Sequence, residues 1–359
     1  MRSREIWREA ARNFGSGASR GLISMAVFMA LVLLLGIVAT RGVVGVAQDA
    51  AEFRNAGASV FRLDAPGNVD SAACDDLARV EGVVAAGATR ASAEVRFALL
   101  PDLPTPYFDA SPGMPVLLGA DPVVYDAGII VDARLAASLG IDDLPGTTFL
   151  ATNGGSPVTA SASFVHPDDG RDSTLAGAAL GVVADQEPFD SCWVRFWPPT
   201  ENPLEVMGTA VISASDGGVS DVTQWNLSLG RTLDPGSAFA SLPLAGLSAV
   251  GAAVAATLAY VSVRLRRLEL ASALHVGVAR SDLVRIALAE SAFWLVPACA
   301  FALTALAFVA TWSNPDPALA AGLAGARAVG VAAGAWILTI AAATAAVRET
   351  HLVHYFQQR

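Results

Sequence analysis

Four stretches of this chain run for about 20 residues or more without a charge, and nothing else in the sequence limits its fold as strongly. They lie between Arg20 and Arg41, Asp234 and Arg264, Glu290 and Asp316, and Arg327 and Arg348. A helix rises about 1.5 Å per residue, so about 20 apolar residues cross the roughly 30 Å hydrocarbon core of a bilayer. Buried helices of soluble domains seldom stay uncharged for that length. The expectation is a membrane protein with four transmembrane α-helices, at 21–46, 238–263, 291–312 and 328–347. Composition agrees, since only 16% of the residues are charged where soluble domains carry about 25%. A signal peptide cleaved near Gly45-Val46-Ala47 is the alternative for the first stretch. Its apolar run exceeds the roughly 7–15 residues of such peptides, which favours an uncleaved anchor.

Arginine placement orients these spans. Residues 1–20 hold Arg2, Arg4, Arg8, Arg12 and Arg20, and the connection 264–290 holds Arg264, Arg266, Arg267, Arg280 and Arg285. The connection 313–327 holds Arg327 alone. The positive-inside rule then places the N-terminus, the 264–290 segment and the 348–359 tail in the cytoplasm of a bacterial plasma-membrane protein. Residues 47–235 fall outside. They carry 26 acids against nine Arg, a net charge of −17, while the remainder is +7. No basic patch stands in that acidic region, which excludes nucleic acid as a partner.

Several chemistries are excluded. All 23 basic residues are Arg. Without Lys there is no Walker P-loop and no Schiff base. The sequence has no G-x-S-x-G, no H-E-x-x-H and no paired-Cys zinc pattern. Glu349, His351 and His354 lack a third strong partner and read as a juxtamembrane tail rather than a metal site. A non-catalytic chain with no metal and no cofactor of its own is the expectation.

Residues 47–235 are long enough for a core of their own and read as one large α+β domain. Strands are expected at 58–63, 128–131, 147–150, 159–165 and 209–213. A helix is expected over Val69–Val80, and another from an Asp132 cap to Leu139, ended by Gly140. Cys74 and Cys192 are disulfide candidates, the alternative being two separate buried thiols. In Phe189–Pro199, strand alternation puts Cys192, Val194 and Phe196 on one face and Trp193, Arg195 and Trp197 on the other. Such a strand either presents a binding face or has both faces covered by the domain's own core. In the fourth span, Gly330-Val-Ala-Ala-Gly334 is a small-xxx-small match for close helix contact.

The segment that follows the second span carries the most specific pattern: Arg264-Leu-Arg266-Arg267-Leu-Glu269, then Gly277, Arg280, Arg285 and Glu290. It resembles the cytoplasmic loop of the FtsX-like, macrolide-exporter-type (MacB-like) ABC transporter permeases. That loop has paired basic residues, an acid two later, a Gly about ten residues on and a Glu entering the third span. His275 stands where the family more often has a basic residue. Ile6–Phe14 resembles the family's amphipathic elbow helix, within 1–20. Val131–Gly140 with Asp142–Gly146 resembles an element of its outer domain.

The resemblance implies a permease subunit with no ATPase activity of its own. ATP and Mg would be bound by a separate ABC ATPase, two copies of which dock on a coupling segment made of Arg266, Arg267, Glu269, Gly277, Arg280, Arg285 and Glu290. It further implies a second permease copy or a homologous permease, and an envelope protein or lipoprotein at the outer domain. Membrane lipid surrounds the spans. Work done would be export or mechanotransmission. The alternative is an FtsX-type scaffold that regulates a cell-envelope enzyme.

Overall fold

The computed structural model describes residues 3–17, 19–120, 128–141, 148–150, 157–184, 187–212 and 221–348. The stretch 142–146, the tail 349–359 with Glu349, His351 and His354, and Ser213 lie outside them. In chain order the elements begin with α1 (Ser3–Gly15), α2 (Gly21–Asn55), β1 (Val60–Val69), α3 (Ser71–Asp76), β2 (Val83–Ala91) and β3 (Tyr107–Ala110). There follow α4 (Met114–Leu118), β4 (Gly128–Asp132), α5 (Ala133–Ser138), β5 (Thr148–Leu150), β6 (Pro157–Phe164), β7 (Ala179–Val182) and β8 (Phe189–Phe196). The last are α6 (Pro203–Met207), β9 (Asp221–Gln224), α7 (Pro235–Ser241), α8 (Leu244–Leu265), α9 (Arg267–His275), α10 (Arg280–Thr311) and α11 (Leu319–Ala345). They form two compact units, Met1–Asp49 with Pro235–Arg359, and Ala50–Asp234.

In the first unit, four helical stretches are long and apolar enough to cross a membrane: Gly21–Asn55, Pro235–Leu265, Arg280–Thr311 and Leu319–Ala345. Large aromatics and small residues share their interior. Phe28, Trp294 and Trp336 pack edge to face, with Trp294 and Trp336 centred 4.8 Å apart. Gly325 lies so close to α2 that a Cβ there would meet Thr40 Oγ1 at 2.4 Å. Gly36 is pressed against Leu306, and Gly251 against Leu35. Gly330 and Gly334, the expected contact pair, have open space beside them. The small-residue signal therefore lies at other positions, where a bulky neighbour fills the space a Cβ would take.

The unit has two distinct ends. At one, Val43, Val44, Ala310 and Ala321 cluster, Arg41 donates to the Trp312 carbonyl at 3.1 Å, and Gln48 to that of Ser313 at 2.8 Å. At the other, α1 lies against the start of α10, through Ile6 and Ala10 on Ile286 and Ala289. The 32 residues of α10 set these ends about 48 Å apart.

The second unit is a nine-stranded mixed sheet among the described residues, ordered β5-β6-β4-β7-β3-β2-β8-β1-β9. β3 with β7 and β4 with β6 are parallel; the other pairs are antiparallel. β8 sits between β1 and β2, and both its faces are buried. Cys192, Val194 and Phe196 pack with Leu63, Leu77 and Met207, while Trp193 packs with Leu180, Met114 and Trp225. The Trp193 indole donates to Thr89 Oγ1 at 2.8 Å. The aromatic run is thus core. Cys74 on α3 and Cys192 on β8 are joined by a disulfide across a separation of 118 residues.

Local signals explain the short helices. Asp70 caps α3 by accepting from the amides of Ala72 and Ala73, and Asp132 caps α5 by accepting from Arg134 N. The expected helix over Val69–Val80 is the six residues of α3 and a 3-10 turn, Leu77–Arg79. The strand expected at Thr209–Ser213 is not there among the described residues. Gly208–Ala210 is a 3-10 turn continuing α6, with the Thr209 hydroxyl donating to the Val206 carbonyl, and only Val211 bridges to Val69.

Candidate functional site

The basic segment after α8 builds a polar joint. α8 ends at Leu265, and Arg266 leaves the helical range at φ −105° and ψ 7° before α9 begins. That break turns the Arg266 side chain inward, where it is largely buried. Its Nε and Nη2 donate to the Glu269 carboxylate at 3.1 and 3.0 Å, the i,i+3 pair that the sequence spacing allows. Its Nη1 donates to Glu290 Oε2. Burial works against the Arg266 charge, but the bonds to Glu269 and Glu290 outweigh it and hold its pKa above the ordinary guanidinium value.

Glu290 is 4% exposed, eleven residues into α10. Its Oε1 accepts from Asn13 Nδ2 at 2.6 Å. One carboxylate therefore ties α1, the α8–α9 break and α10 together. Phe14 stacks on Phe293 with centroids 6.1 Å apart, and Trp7 meets the same ring edge-on at 5.4 Å. Arg4, Arg8 and Arg12 remain exposed on the opposite side of α1.

The other candidates fall into two groups. Arg267 is half-buried on the first turn of α9. Gly277 adopts φ +95° in the turn between α9 and α10, a left-handed conformation that glycine takes without steric cost. Beside it Val276 is 84% exposed, the most exposed large apolar side chain among the described residues. Arg280 opens α10 and is exposed. Arg285 is also exposed and lies 3.6 Å from Asp282, an acid in the helix's first turn. Arg266, Glu269 and Glu290 thus form one buried network, while Gly277, Arg280 and Arg285 lie along the turn and the start of α10. Asn13 is the member that sequence reasoning missed. Its only signal is an amide on the apolar side of an amphipathic helix.

Among the described residues no cluster of three His, Cys, Asp or Glu is placed to hold a metal ion.

No protein-family model matches the chain, and no curated protein does. Solved structures do match. The periplasmic region of MacB from Actinobacillus actinomycetemcomitans is 8% identical, with a TM-score of 0.32, over 45% of this chain and 86% of that one. The extracellular domain of the noncanonic ABC-type transporter YknZ from Gram-positive bacteria is 14% identical, with a TM-score of 0.27, over 42% and 88%. A domain of a putative permease from Porphyromonas gingivalis is 14% identical, with a TM-score of 0.29, over 49% and 91%. At these scores the likeness settles neither activity nor partners.

Proposed function

We propose that the chain is the permease subunit of an ABC transporter of the FtsX-like, macrolide-exporter type. It couples ATP hydrolysis by a separate ATPase to movement of the sheet unit outside the membrane, for export or mechanotransmission. The observation that carries this reading is the Asn13–Glu290–Arg266–Glu269 network. A partner pushing on the turn after α9 meets a body in which α1, α9 and the start of α10 are locked by buried charges. Force applied there is delivered to α10 rather than absorbed by a loose loop. The exposed Val276 at the tip of that turn, flanked by His275 and Arg280, is the part such a partner would grip.

The disulfide supports the orientation, since such bonds persist in oxidising compartments outside the cytoplasm. The net charge of −17 on 47–235 against +7 elsewhere agrees with the positive-inside rule.

Co-purification from native membranes tests the coupling. The wild-type chain is expected to bring down a nucleotide-binding subunit carrying a P-loop. Val276→Asp, on an exposed side chain, is expected to lose it while the permease stays folded. An unchanged yield of the subunit with Val276→Asp and with Arg280→Glu would count heavily against docking at this turn.

A further inference from the structure

Within the helical unit, α1, α8, α9, α10 and α11 line a cavity of about 230 Å³. That is far above the roughly 10–15 Å³ that admits one water. Its wall is unlike lipid. Glu269 and Glu290 line it with Arg266, so one guanidinium answers two carboxylates and one negative charge is left over. Glu9 also lines it and is answered by Arg12 at 2.9 Å. Trp294 and Trp336 form an aromatic part of the wall, and the Trp336 indole is held by donation to Ser291 Oγ at 3.2 Å.

Thr344 supplies the second observation. It is 2% exposed and lines the cavity, yet its hydroxyl has no hydrogen-bond partner. Thr257 on α8 and Thr304 on α10 donate instead to the carbonyl four residues earlier, which is how hydroxyls in apolar helices are usually satisfied. A buried polar group left unanswered is costly. Unspent carboxylate charge, an idle hydroxyl and two indoles are together the complement of an amphiphilic cation.

We propose that this cavity is a binding site for an alkylammonium, a protonated primary amine on a short apolar chain. Its three N–H groups answer the surplus charge of Glu269 and Glu290 and the Thr344 hydroxyl oxygen. Its carbon chain lies against the indoles, whose faces also attract the cationic head. An anion meets two carboxylates here, and a neutral alkane leaves both the charge and the hydroxyl unanswered. The same headgroup chemistry is presented by a free amphiphilic amine and by an aminophospholipid.

The test uses the full chain in dodecyl maltoside, with n-octylammonium chloride at pH 7 as the probe and intrinsic Trp fluorescence as the readout. A saturable change is expected for the wild type, with n-octanol binding at least tenfold more weakly. Glu269→Gln, at a half-exposed position that does not threaten folding, is expected to weaken octylammonium binding about tenfold. Thr344→Val is expected to weaken it about threefold, and Trp336→Phe to remove most of the signal. Equal responses to octanol and octylammonium, or wild-type affinity in Glu269→Gln, would overturn the proposal. Adding phosphatidylethanolamine to the micelles distinguishes the sources. A tenfold loss of octylammonium affinity, absent with phosphatidylglycerol, assigns the site to the lipid headgroup; unchanged affinity assigns it to a free amine.

Discussion

Removing the carboxylate of Glu290 leaves Arg266 largely buried with only the half-exposed Glu269 to answer it, and leaves the Asn13 amide without its acceptor. Breaking a buried pair at one partner costs about 3–5 kcal/mol, because the remaining charge stays out of water. Pairs open to solvent contribute below about 1 kcal/mol. Glu290→Ala is therefore expected to lower the stability of the full chain by about 3–5 kcal/mol, and Glu269→Gln by less than about 1 kcal/mol. Thermal unfolding in detergent measures both, and equal losses would mean that burial of Glu290 does not set its role. Acid acts on a different residue. Burial raises the Asp172 pKa, but bonds from the Thr174 hydroxyl and amide and the Arg62 charge outweigh it, so the folded value lies below the ordinary one. A depressed carboxylate pKa contributes stability above the unfolded value, and this is lost as pH falls through the folded value. The stability gap between wild type and Asp172→Asn should accordingly be wider at pH 7 than at pH 3, as chemical unfolding at both values would show.

At the scale of elements, the disulfide joins α3 to the central strand β8 across 118 residues. Closing so long a loop removes about 4–5 kcal/mol of unfolded-chain entropy in the polymer model. Cys74→Ala with Cys192→Ala is expected to destabilise the chain by about that amount. Reductant should reproduce the loss in the wild type and add nothing in the double variant; further loss in the variant would show that reductant acts elsewhere. Which elements were legible follows from how local their causes are. The long uncharged stretches and the Asp132-capped α5 after β4 carry their reasons within a few residues. β2, Val-Val-Ala-Ala-Gly-Ala-Thr-Arg-Ala, has neither alternation nor a β-branched run. It is a strand because β3 and β8 pair with it on either side, a cause no local pattern contains. Thr209–Ser213 misled in the opposite way, since its apolar and hydroxyl residues suit a strand while Gly208 lets the preceding helix tighten into a turn. The joint divides similarly. Arg266 and Glu269 are three apart and could be read together, whereas Asn13 and Glu290 are 277 residues apart and meet only through packing of α1 on α10.

For the whole molecule, the deciding quantity is which side of the bilayer each unit occupies. A lipid core excludes polar loops, so the ends of α10, about 48 Å apart, must face different aqueous phases if the helix spans. The turn at Val276 precedes α10 and Trp312 follows it, which separates the joint from the Arg41 and Gln48 end. An odd number of crossings between residue 165 and residue 276 then sets the sheet unit opposite the joint, and α8 supplies the single crossing. This predicts a labelling pattern in cells. With the free Cys299 changed to Ser, Val165→Cys and Val276→Cys both present exposed thiols, while Cys74 and Cys192 are consumed by their bond. A membrane-impermeant maleimide added to spheroplasts should modify position 165 at once and position 276 only after permeabilisation. Reaction at both positions in sealed cells would place the two units on one side, and the coupling of an inner ATPase to an outer sheet would fall with it.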